Sequence, residues 1–475
     1  MARRYLIVSD LHLCDFEAHD DGWMAHKHPR YDFDQGFADL VEHFCRRAAC
    51  SERGEDDELV LILNGDILDF DLLTAVPDPP PWPVRSSERH RGLVSSAEKS
   101  AWKAQRIVDA HPRFIQALAR FLDQGHELVY VLGNHDRELH YPQVSALIAS
   151  AIEAQREPAK PGTKRSELRF EPWFYHFPGQ LYAEHGQQYS YYTSFNDPLC
   201  PTIDSAEGPV LALPMGNLSN RYLMTKMGFF NPFASDFILN VFAYFWHWLR
   251  FYAFSRRSLA FSWFWGSLVV MIRLLSIKKA QLGQSASCPL QLQQQAEHHR
   301  LEVDALKALL ALQQAPITNR FFRVMREFWI DRLLLSLLMV GGTISLALVP
   351  IPLWIKLMIP LTVFPLVFVI YEALAHGDTI FAIEGEMPRV SREIAKILKV
   401  PVVAMGHDHV PRLLPLSRDV LFADTGTWAP IYDPKTGALS PGFRNYLELR
   451  FEGNELCDLR FGSYVGEAEA AASTR

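Results

Sequence analysis

Short apolar runs that end in polar motifs are the most regular pattern along the chain. Near the N-terminus they are Tyr5–Ser9, Leu59–Leu63 and Glu127–Leu132. Each run has the length of a strand and lacks polar alternation, which is typical of strands buried on both faces of a parallel sheet. Leu181–Glu184 and Val400–Met405 repeat the pattern further along. We therefore predict buried strands whose carboxyl ends carry functional loops.

Helical segments separate these runs. Phe33–Cys50 and Trp102–Gln124 are predicted helices, and Val420–Ala423 and Asn445–Phe451 are predicted closing strands. Alternation of strands and helices favours the α/β class. The segment 466–475 is rich in Ala, Glu and Ser and is predicted to be disordered.

A long insertion separates the strand at Leu181–Glu184 from the one at Val400–Met405. Within it, Leu333–Ile355 contains no charged residue and is long enough for a membrane-spanning helix. The apolar pattern continues beyond Lys356, but prolines argue against one straight helix, so we predict a hairpin that turns near Pro350–Lys356. Since the strands on both sides must join around one site, any membrane crossings must be even in number.

A second apolar region, Phe237–Leu275, is rich in tryptophan and is interrupted by arginines, as expected at a membrane interface. Arginines also precede the Leu333 segment, which indicates that it starts on the cytoplasmic side. These are Arg320, Arg323, Arg326 and Arg332. We expect a membrane-associated protein with its catalytic domain facing the cytoplasm. The alternative is a buried helical cap with a large apolar core.

The net charge bears on the class of binding partner, and the cysteines bear on the cellular compartment. The net charge is -7 and the pI is near 6.2, so the basic footprint of a nucleic-acid-binding protein is missing. The six cysteines are scattered and form no CxxC pair, which favours a reducing compartment.

Five motifs that follow apolar runs supply carboxylate, amide and imidazole groups. They are Asp10-Leu11-His12, Gly65-Asp66, Gly133-Asn134-His135-Asp136, His185-Gly186 and Gly406-His407-Asp408-His409. This set suits two adjacent divalent metals when one carboxylate bridges them. Mixed imidazole and oxygen ligands favour Mn, Fe or Zn over Mg or Ca.

In this order, the motifs resemble those of the calcineurin-like metallophosphoesterases. The resemblance implies a four-layer αββα sandwich, two divalent metal ions (Mn first, with Fe and Zn as alternatives) and hydrolysis of a phosphoester or pyrophosphate bond by a metal-bridging hydroxide. It implies that one metal is held by Asp10, His12, Asp66 and His409. It implies that the other is held by Asp66, Asn134, His185 and His407.

Residues beside the ligands receive roles from the same resemblance. His135 corresponds to a general acid on the leaving-group side, with Asp136 orienting or charging its ring. Arg137 is expected either to bind a phosphate oxygen or to form a surface salt bridge. His176 and His376 are alternatives to the ligand His185.

Two further segments have open or supporting roles. Asp69 either supports a ligand or caps a helix. The segment Asp424–Trp428 resembles the closing strand and turn of the family, and we interpret it as scaffold.

The motifs say less about the identity of the substrate than about the metal site. Ser9–Leu13 and the Gly406-His407-x-His409 ending resemble the UDP-2,3-diacylglucosamine diphosphatases, which implies a lipid-linked pyrophosphate, but those enzymes typically have Arg where this chain has His135. Three hypotheses remain: a membrane-associated phosphohydrolase with a lipid-linked substrate, a tethered phosphodiesterase or phosphoprotein phosphatase with a soluble substrate, and a membrane scaffold with a non-catalytic metal site.

The predicted domains are a first part of the core (1–195), a helical membrane-associated insertion (196–380), a second part of the core (381–465) and the tail (466–475).

Overall fold

The computed structural model describes residues 2–19, 24–49, 57–158, 165–205, 208–227, 249, 259–283, 289–375, 386–432 and 439–464. Its chain forms two units. One comprises Met1–Pro316 with Gly385–Arg475, and the other comprises Ile317–Glu384. The domain boundaries inferred from the sequence stay predictions.

Six strands form the first sheet. They are β1 (Ala2–Val8), β2 (Glu58–Asn64), β3 (Glu127–Val131), β4 (Leu168–Glu171), β14 (Asn445–Glu452) and β15 (Glu455–Ser463). Their order is β15-β14-β1-β2-β3-β4, with β1 to β4 mutually parallel and β14 antiparallel to both neighbours. The carboxyl ends of β1, β2 and β3 therefore meet at one edge.

Five strands form the second sheet. They are β5 (Phe174–Phe177), β6 (Leu181–Glu184), β9 (Val402–Met405), β10 (Arg412–Pro415) and β11 (Leu421–Asp424). The order is β10-β11-β9-β6-β5, with β6, β9 and β11 parallel. Two small ribbons pair β7 (Thr202–Ser205) with β8 (Gly208–Leu211), and β12 (Ile431–Tyr432) with β13 (Leu439–Ser440).

The two sheets pack face to face. Tyr5 and Ile62 of the first sheet share one buried cluster with Ala183, Val402 and Ala404 of the second. Residues of opposite parity on β1 and β2 are buried as well, so these strands are covered on both faces. This explains why they appear as continuous apolar runs in the sequence.

Thirteen α-helices lie in the described part of the chain. They are α1 (Asp34–Ala49), α2 (Ser86–Arg91), α3 (Ala97–Ala110), α4 (Pro112–Asp123), α5 (Pro142–Glu153), α6 (Met215–Tyr222), α7 (Leu259–Gly283), α8 (Pro289–His298), α9 (Val303–Ala311), α10 (Phe321–Glu327), α11 (Ile330–Leu348), α12 (Leu353–Ala375) and α13 (Glu386–Leu398). Leu309 of α9 and Ile394 of α13 pack with Val403 and Phe422 on the outer face of the second sheet. The α/β sandwich expected from the sequence is confirmed.

The predicted helix Trp102–Gln124 is wrong as a single element. His111 leaves the helical region (φ -121°, ψ 56°) between α3 and α4. Its ring contacts Asp34 Oδ1 and the Cys14 carbonyl oxygen at 2.8 and 2.7 Å. Pro112 then starts α4, where its missing N–H is not needed.

The apolar hairpin of the insertion is confirmed. Helices α11 and α12 are separated by residues 349–352, and both are long and apolar enough to span a membrane by length and composition. Of the other apolar region, Phe237–Leu275, residues 237–248 and 250–258 lie outside the described residues, and the remainder from Leu259 onward belongs to α7.

Candidate metal centre

The polar residues after β1, β2 and β9 have unusual backbone conformations. Asp10, His12, Asp66, His407 and His409 have φ values of 55°, 50°, 53°, 73° and 59°. Residues other than glycine rarely adopt this left-handed region, and such strain concentrates at functional sites. The strained backbone of these loops therefore sets the directions of the polar side chains.

Hydrogen bonds from two other segments hold the Asp10 loop in place. The backbone N–H of Asp10 donates to the Gly65 carbonyl oxygen at 3.1 Å. The Asp10 carbonyl oxygen accepts from the Thr427 hydroxyl at 2.9 Å and from the Trp428 backbone N–H at 3.0 Å. Thr427 and Trp428 thus act as scaffold, as expected for the segment that follows the last motif.

One group of candidate ligands joins Asp10, His12, Asp66 and His409, and their ligand atoms all lie within 4.8 Å of one another. His409 Nε2 is 3.0 Å from Asp10 Oδ1 and 3.1 Å from His12 Nε2. His12 Nδ1 lies 2.8 Å from Asp69 Oδ2. A carboxylate only accepts, so the proton sits on Nδ1 and the Nε2 lone pair faces the group.

A second group joins Asp66, His185 and His407. His185 Nδ1 donates to the Asn64 carbonyl oxygen at 3.0 Å, and its Nε2 lies 3.0 Å from Asp66 Oδ2. His407 Nε2 is 2.9 Å from the Thr193 hydroxyl, and its ring centre is 5.3 Å from that of His185. Burial and the neighbouring His185 lower the pKa of His407 to about 3, so this imidazole is neutral. Burial would lower the pKa of His185, but Asp66 and Asp10 raise it to about 10, so His185 would have to release a proton to bind a metal ion.

Three atoms show that the arrangement fits metal ions. Asp66 Oδ2, Asn134 Oδ1 and His185 Nε2 are buried and make no hydrogen bond, and the first and last of them form an ion-pair contact of 3.0 Å with each other. Burial alone would raise the pKa of Asp66, but His185, His135 and His12 lower it well below its ordinary value, so the carboxylate is ionised. Buried polar atoms are otherwise nearly always satisfied, and a divalent cation would satisfy all three.

Comparison with known proteins identifies the family. The sequence profile of the calcineurin-like phosphoesterases matches residues 3–258, which is more than half of the chain. The chain belongs to the calcineurin-like phosphoesterase family. No curated protein matches it. The protein is thus a metal-dependent phosphoesterase, and His407 and His409, which lie beyond the matched segment, are brought to the site by the fold.

His135 lies beside both ligand groups of this phosphoesterase. Its ring centre is 4.8 Å from that of His12, and its Nδ1 is 2.8 Å from Asp69 Oδ2 and 3.6 Å from Asp71 Oδ2. Its backbone N–H donates to Asp66 Oδ1 at 2.7 Å. Burial would lower the pKa of His135, but the carboxylates of Asp69, Asp66 and Asp71 raise it well above its ordinary value, so the ring is cationic.

The partner of the His135 ring differs from the expectation. Asp136 was expected to orient or charge this ring, but both of its oxygens are used within the loop. Oδ1 accepts from the Gly133 N–H at 2.7 Å, and Oδ2 accepts from the Ile67 N–H and the Tyr130 hydroxyl at 2.9 and 2.8 Å. Asp136 therefore shapes the loop, and Asp69 holds the ring.

Asp69 supports a candidate ligand, as one of the two expectations held, but it caps a turn and not a helix. Its Oδ1 accepts from the backbone N–H groups of Asp71 and Leu72 at 2.9 and 2.8 Å, which caps the turn after β2. Its Oδ2 lies 2.8 Å from Nδ1 of both His12 and His135. One buried carboxylate thus fixes a candidate ligand and the candidate acid together.

Arg137 of this phosphoesterase is fully buried, so the expectation of a surface salt bridge is wrong. Its Nη1 donates to the Pro172 carbonyl oxygen at 2.6 Å, and the guanidinium lies 5.1 Å from the Phe195 ring centre. Binding of a phosphate oxygen by Arg137 stays a prediction.

Helix α6, in the segment expected to be membrane-associated, contributes residues that sequence reasoning missed. Asn217 Nδ2 donates to Asp71 Oδ2 and to the Asn134 carbonyl oxygen at 2.6 and 2.8 Å, and Asn220 Nδ2 lies 3.4 Å from His135 Nε2. Arg221 Nε donates to Asp71 Oδ1 at 2.8 Å. The sequence does contain a signal for these residues: their i, i+3, i+4 spacing places all three on one face of a helix.

The alternatives to His185 have different positions. His176 lies on β5 and belongs to neither ligand group. His376 lies outside the described residues. The structure brings His185 together with the other predicted ligands.

Proposed function

We propose that this phosphoesterase is a membrane-associated dinuclear-metal phosphohydrolase in which Asp66, a member of both candidate ligand groups, would help to hold both ions. The residues that would hold them are Asp10, His12, Asp66, Asn134, His185, His407 and His409. The observation that carries the proposal is the set of three buried atoms on Asp66, Asn134 and His185 that make no hydrogen bond. Each would destabilise the fold by about 1–3 kcal/mol if left unsatisfied. Mn²⁺ is our first candidate, with Fe and Zn as alternatives.

The bound ions would polarise the phosphoryl oxygens and make water a better nucleophile. The residues of the chain would do the rest. His135, cationic and held through Nδ1 by Asp69, keeps Nε2 on the opposite side of the ring from its carboxylate partner. We infer that Nε2 donates a proton to the leaving oxygen. The Asn220 amide lies 3.4 Å from Nε2 and restrains the cationic ring when its oxygen, rather than its nitrogen, faces the N–H.

Membrane attachment is the second part of the proposal, and helices α11 and α12 support it. Leu338 and Leu348 of α11 are 72% and 83% exposed, and Leu361 and Trp354 of α12 are 70% and 66% exposed. A soluble protein rarely exposes an apolar surface of this extent. We propose that the hairpin enters a bilayer from the cytoplasmic side, on which the preceding arginines remain.

We propose a lipid-linked phosphoester or pyrophosphate as the substrate, because an enzyme anchored in this way meets amphiphilic substrates at the bilayer surface. A soluble phosphodiester or phosphoprotein is the second candidate. His135 favours it, since the diphosphatases with lipid-linked substrates that the motifs resemble typically have arginine at this position.

The test is hydrolysis by detergent-purified protein, metal-stripped and with Mn²⁺ restored. Substrates would be a soluble diester, a soluble monoester and an amphiphilic diester in mixed micelles. We expect Mn²⁺-dependent turnover that is lost in Asp66→Asn and retained in Asp419→Asn, which alters an exposed carboxylate. No turnover on any substrate with two metals bound would contradict the catalytic proposal. Equal rates on the soluble and micellar diesters would contradict the preference for a lipid-linked substrate.

A carbonate wash of membranes tests the attachment separately. We expect the full chain to stay in the pellet. Release into the supernatant would show that the hairpin does not span the bilayer.

A further inference from the structure

Three side chains away from the catalytic groups form a separate cluster, which we call the Glu171 cluster. Glu171 ends strand β4 at the edge of the first sheet, and His298 ends helix α8. His299 follows directly, and its backbone N–H donates to the Gln295 carbonyl oxygen at 3.0 Å. We propose that Glu171, His298 and His299 bind a further divalent metal ion of the Zn²⁺ class, which fastens α8 to β4.

The distances suit such an ion. His298 Nε2 is 3.1 Å from Glu171 Oε1, and His299 Nε2 is 3.6 Å from Glu171 Oε2. One ligand atom from each residue lies within 4.8 Å of the others. Bonds of about 2.1 Å in tetrahedral geometry place neighbouring ligand atoms about 3.4 Å apart. The separation between His299 Nε2 and Glu171 Oε2 is close to this value, and His298 Nε2, which lies 3.1 Å from Oε1, would turn towards Oε2 to complete the set.

Two atoms of the cluster lack a partner. Glu171 Oε2 and His299 Nε2 are buried and make no hydrogen bond, although they face each other. The Glu171 and His299 side chains are 1% and 3% exposed. Two buried polar atoms with no partner need an explanation, and one cation between them satisfies both.

The position of the His299 ring supports a cation as the partner. The His299 ring is buried, and its Nε2 faces Glu171 Oε2 at 3.6 Å. The ring stacks on Phe174, with centres 4.3 Å apart. The stacking fixes the ring before any ion arrives, which reduces the entropy lost on binding.

Arg169 is the group that competes with the ion. Its Nε lies 2.8 Å from Glu171 Oε1, and its Nη1 lies 3.1 Å from Glu127 Oε1. The guanidinium therefore neutralises part of the charge of Glu171, but it approaches only one oxygen and leaves Oε2 for the ion. Repulsion from Arg169 predicts a weaker site than one with an unshared carboxylate.

The fourth coordination position would belong to water. The His298 side chain is 45% exposed, so the cluster opens to solvent on that side. Two histidines, one glutamate and an open position form a ligand set that Zn²⁺ accepts. The role we infer is structural, because no residue of the cluster belongs to either candidate catalytic group.

The experiment counts metal ions in the full-length, detergent-purified protein. After dialysis against low-micromolar Zn²⁺, ions per chain are measured by mass spectrometry for the wild type, Glu171→Gln, His298→Gln and the control His90→Gln, which removes an exposed histidine. We expect one ion fewer in both cluster variants and no change in the control. The readout is the difference in ions per chain between the wild type and each variant. This difference does not depend on whether the catalytic groups bind two ions or none.

Thermal unfolding in saturating Mn²⁺ provides a second readout. Added Zn²⁺ should raise the midpoint of the wild type and not that of His298→Gln, whose exposed ring can be replaced without disturbing the core. Retained Mn²⁺-dependent turnover would show that the variant folds. Equal Zn²⁺ counts and equal midpoint shifts in the wild type and His298→Gln would overturn the proposal and leave the cluster a hydrogen-bonded contact.

Discussion

Replacing Asp69 by asparagine separates two tasks that one carboxylate performs. The substitution keeps the shape of the side chain, but an amide has one acceptor oxygen where the carboxylate has two. With the oxygen towards Asp71 and Leu72, the NH₂ group faces the protonated Nδ1 atoms of His12 and His135. With the amide flipped, the NH₂ group faces two backbone N–H donors. The first orientation loses the hydrogen bond to His12 and the ion pair with His135, and the second loses two backbone hydrogen bonds.

The expected magnitudes follow from those contacts. A hydrogen bond to a charged group contributes about 1.5–3 kcal/mol. We take the same range for the buried ion pair between Asp69 and His135, so its loss should lower kcat by about 10- to 150-fold. Loss of the carboxylate behind His12 should weaken metal binding by about 10- to 100-fold. The first effect persists at saturating metal, whereas excess Mn²⁺ reverses the second.

The assay is a Mn²⁺ titration of turnover for the wild type, Asp69→Asn, His135→Gln and the double variant. We expect a raised Mn²⁺ half-saturation in both chains that carry Asp69→Asn. We also expect the double variant to match the kcat of His135→Gln, because Asp69 acts on kcat through His135. Wild-type kcat and an unchanged half-saturation in Asp69→Asn would refute this reasoning.

Two further substitutions test other parts of the site, and a third tests His140, a partly buried histidine at the end of the short helix Arg137–His140. Asn220→Ala should lower kcat/KM by about 3- to 10-fold through loss of one contact to His135, with metal content unchanged; an unaltered rate would remove Asn220 from the site. Gly133→Ala would place a Cβ 2.5 Å from the Asp66 backbone nitrogen, so we expect loss of bound metal by mass spectrometry, and full occupancy would contradict this. Burial and the neighbouring Arg137 lower the pKa of His140 to about 4 in the folded protein. In the unfolded chain the pKa of this histidine is about 6.5. The free energy of unfolding is therefore highest above pH 6.5. At pH 5 it is lower by about 2 kcal/mol, because the unfolded chain binds a proton that the folded chain does not. His140→Gln should show a correspondingly smaller acid loss in denaturant unfolding, and equal losses in both proteins would contradict the assignment.

The strands and their terminal motifs were predictable from the sequence for a physical reason. Strands buried on both faces leave continuous apolar runs, and parallel strands place their carboxyl ends at one edge. Leu181–Glu184 was therefore located with its observed bounds, and the candidate ligands Asp10 and His407 could be assigned to one site although nearly the whole chain separates them.

The directions of individual side chains were not predictable in this way. Asp136 is adjacent to His135, but the turn after β3 directs its carboxylate to Tyr130, whereas Asp69, far away in the sequence, meets the ring. Asn220 reaches the site because α6 packs there, which no local pattern in the sequence encodes. Local periodicity fixes elements, but which groups of different elements meet depends on tertiary packing.

The position of β1 in the first sheet has a consequence for the order of assembly. Although β1 precedes every other strand, it is paired on one side with β14, which is synthesised after the apolar hairpin α11–α12. Such pairing between remote segments forms slowly, because a very long loop must close first. During translation the hairpin is therefore available to a membrane before the sheet is complete and before His407 and His409 exist. The apolar hairpin is thus complete before the set of candidate metal ligands is, and a chain that ends before His407 lacks two of them.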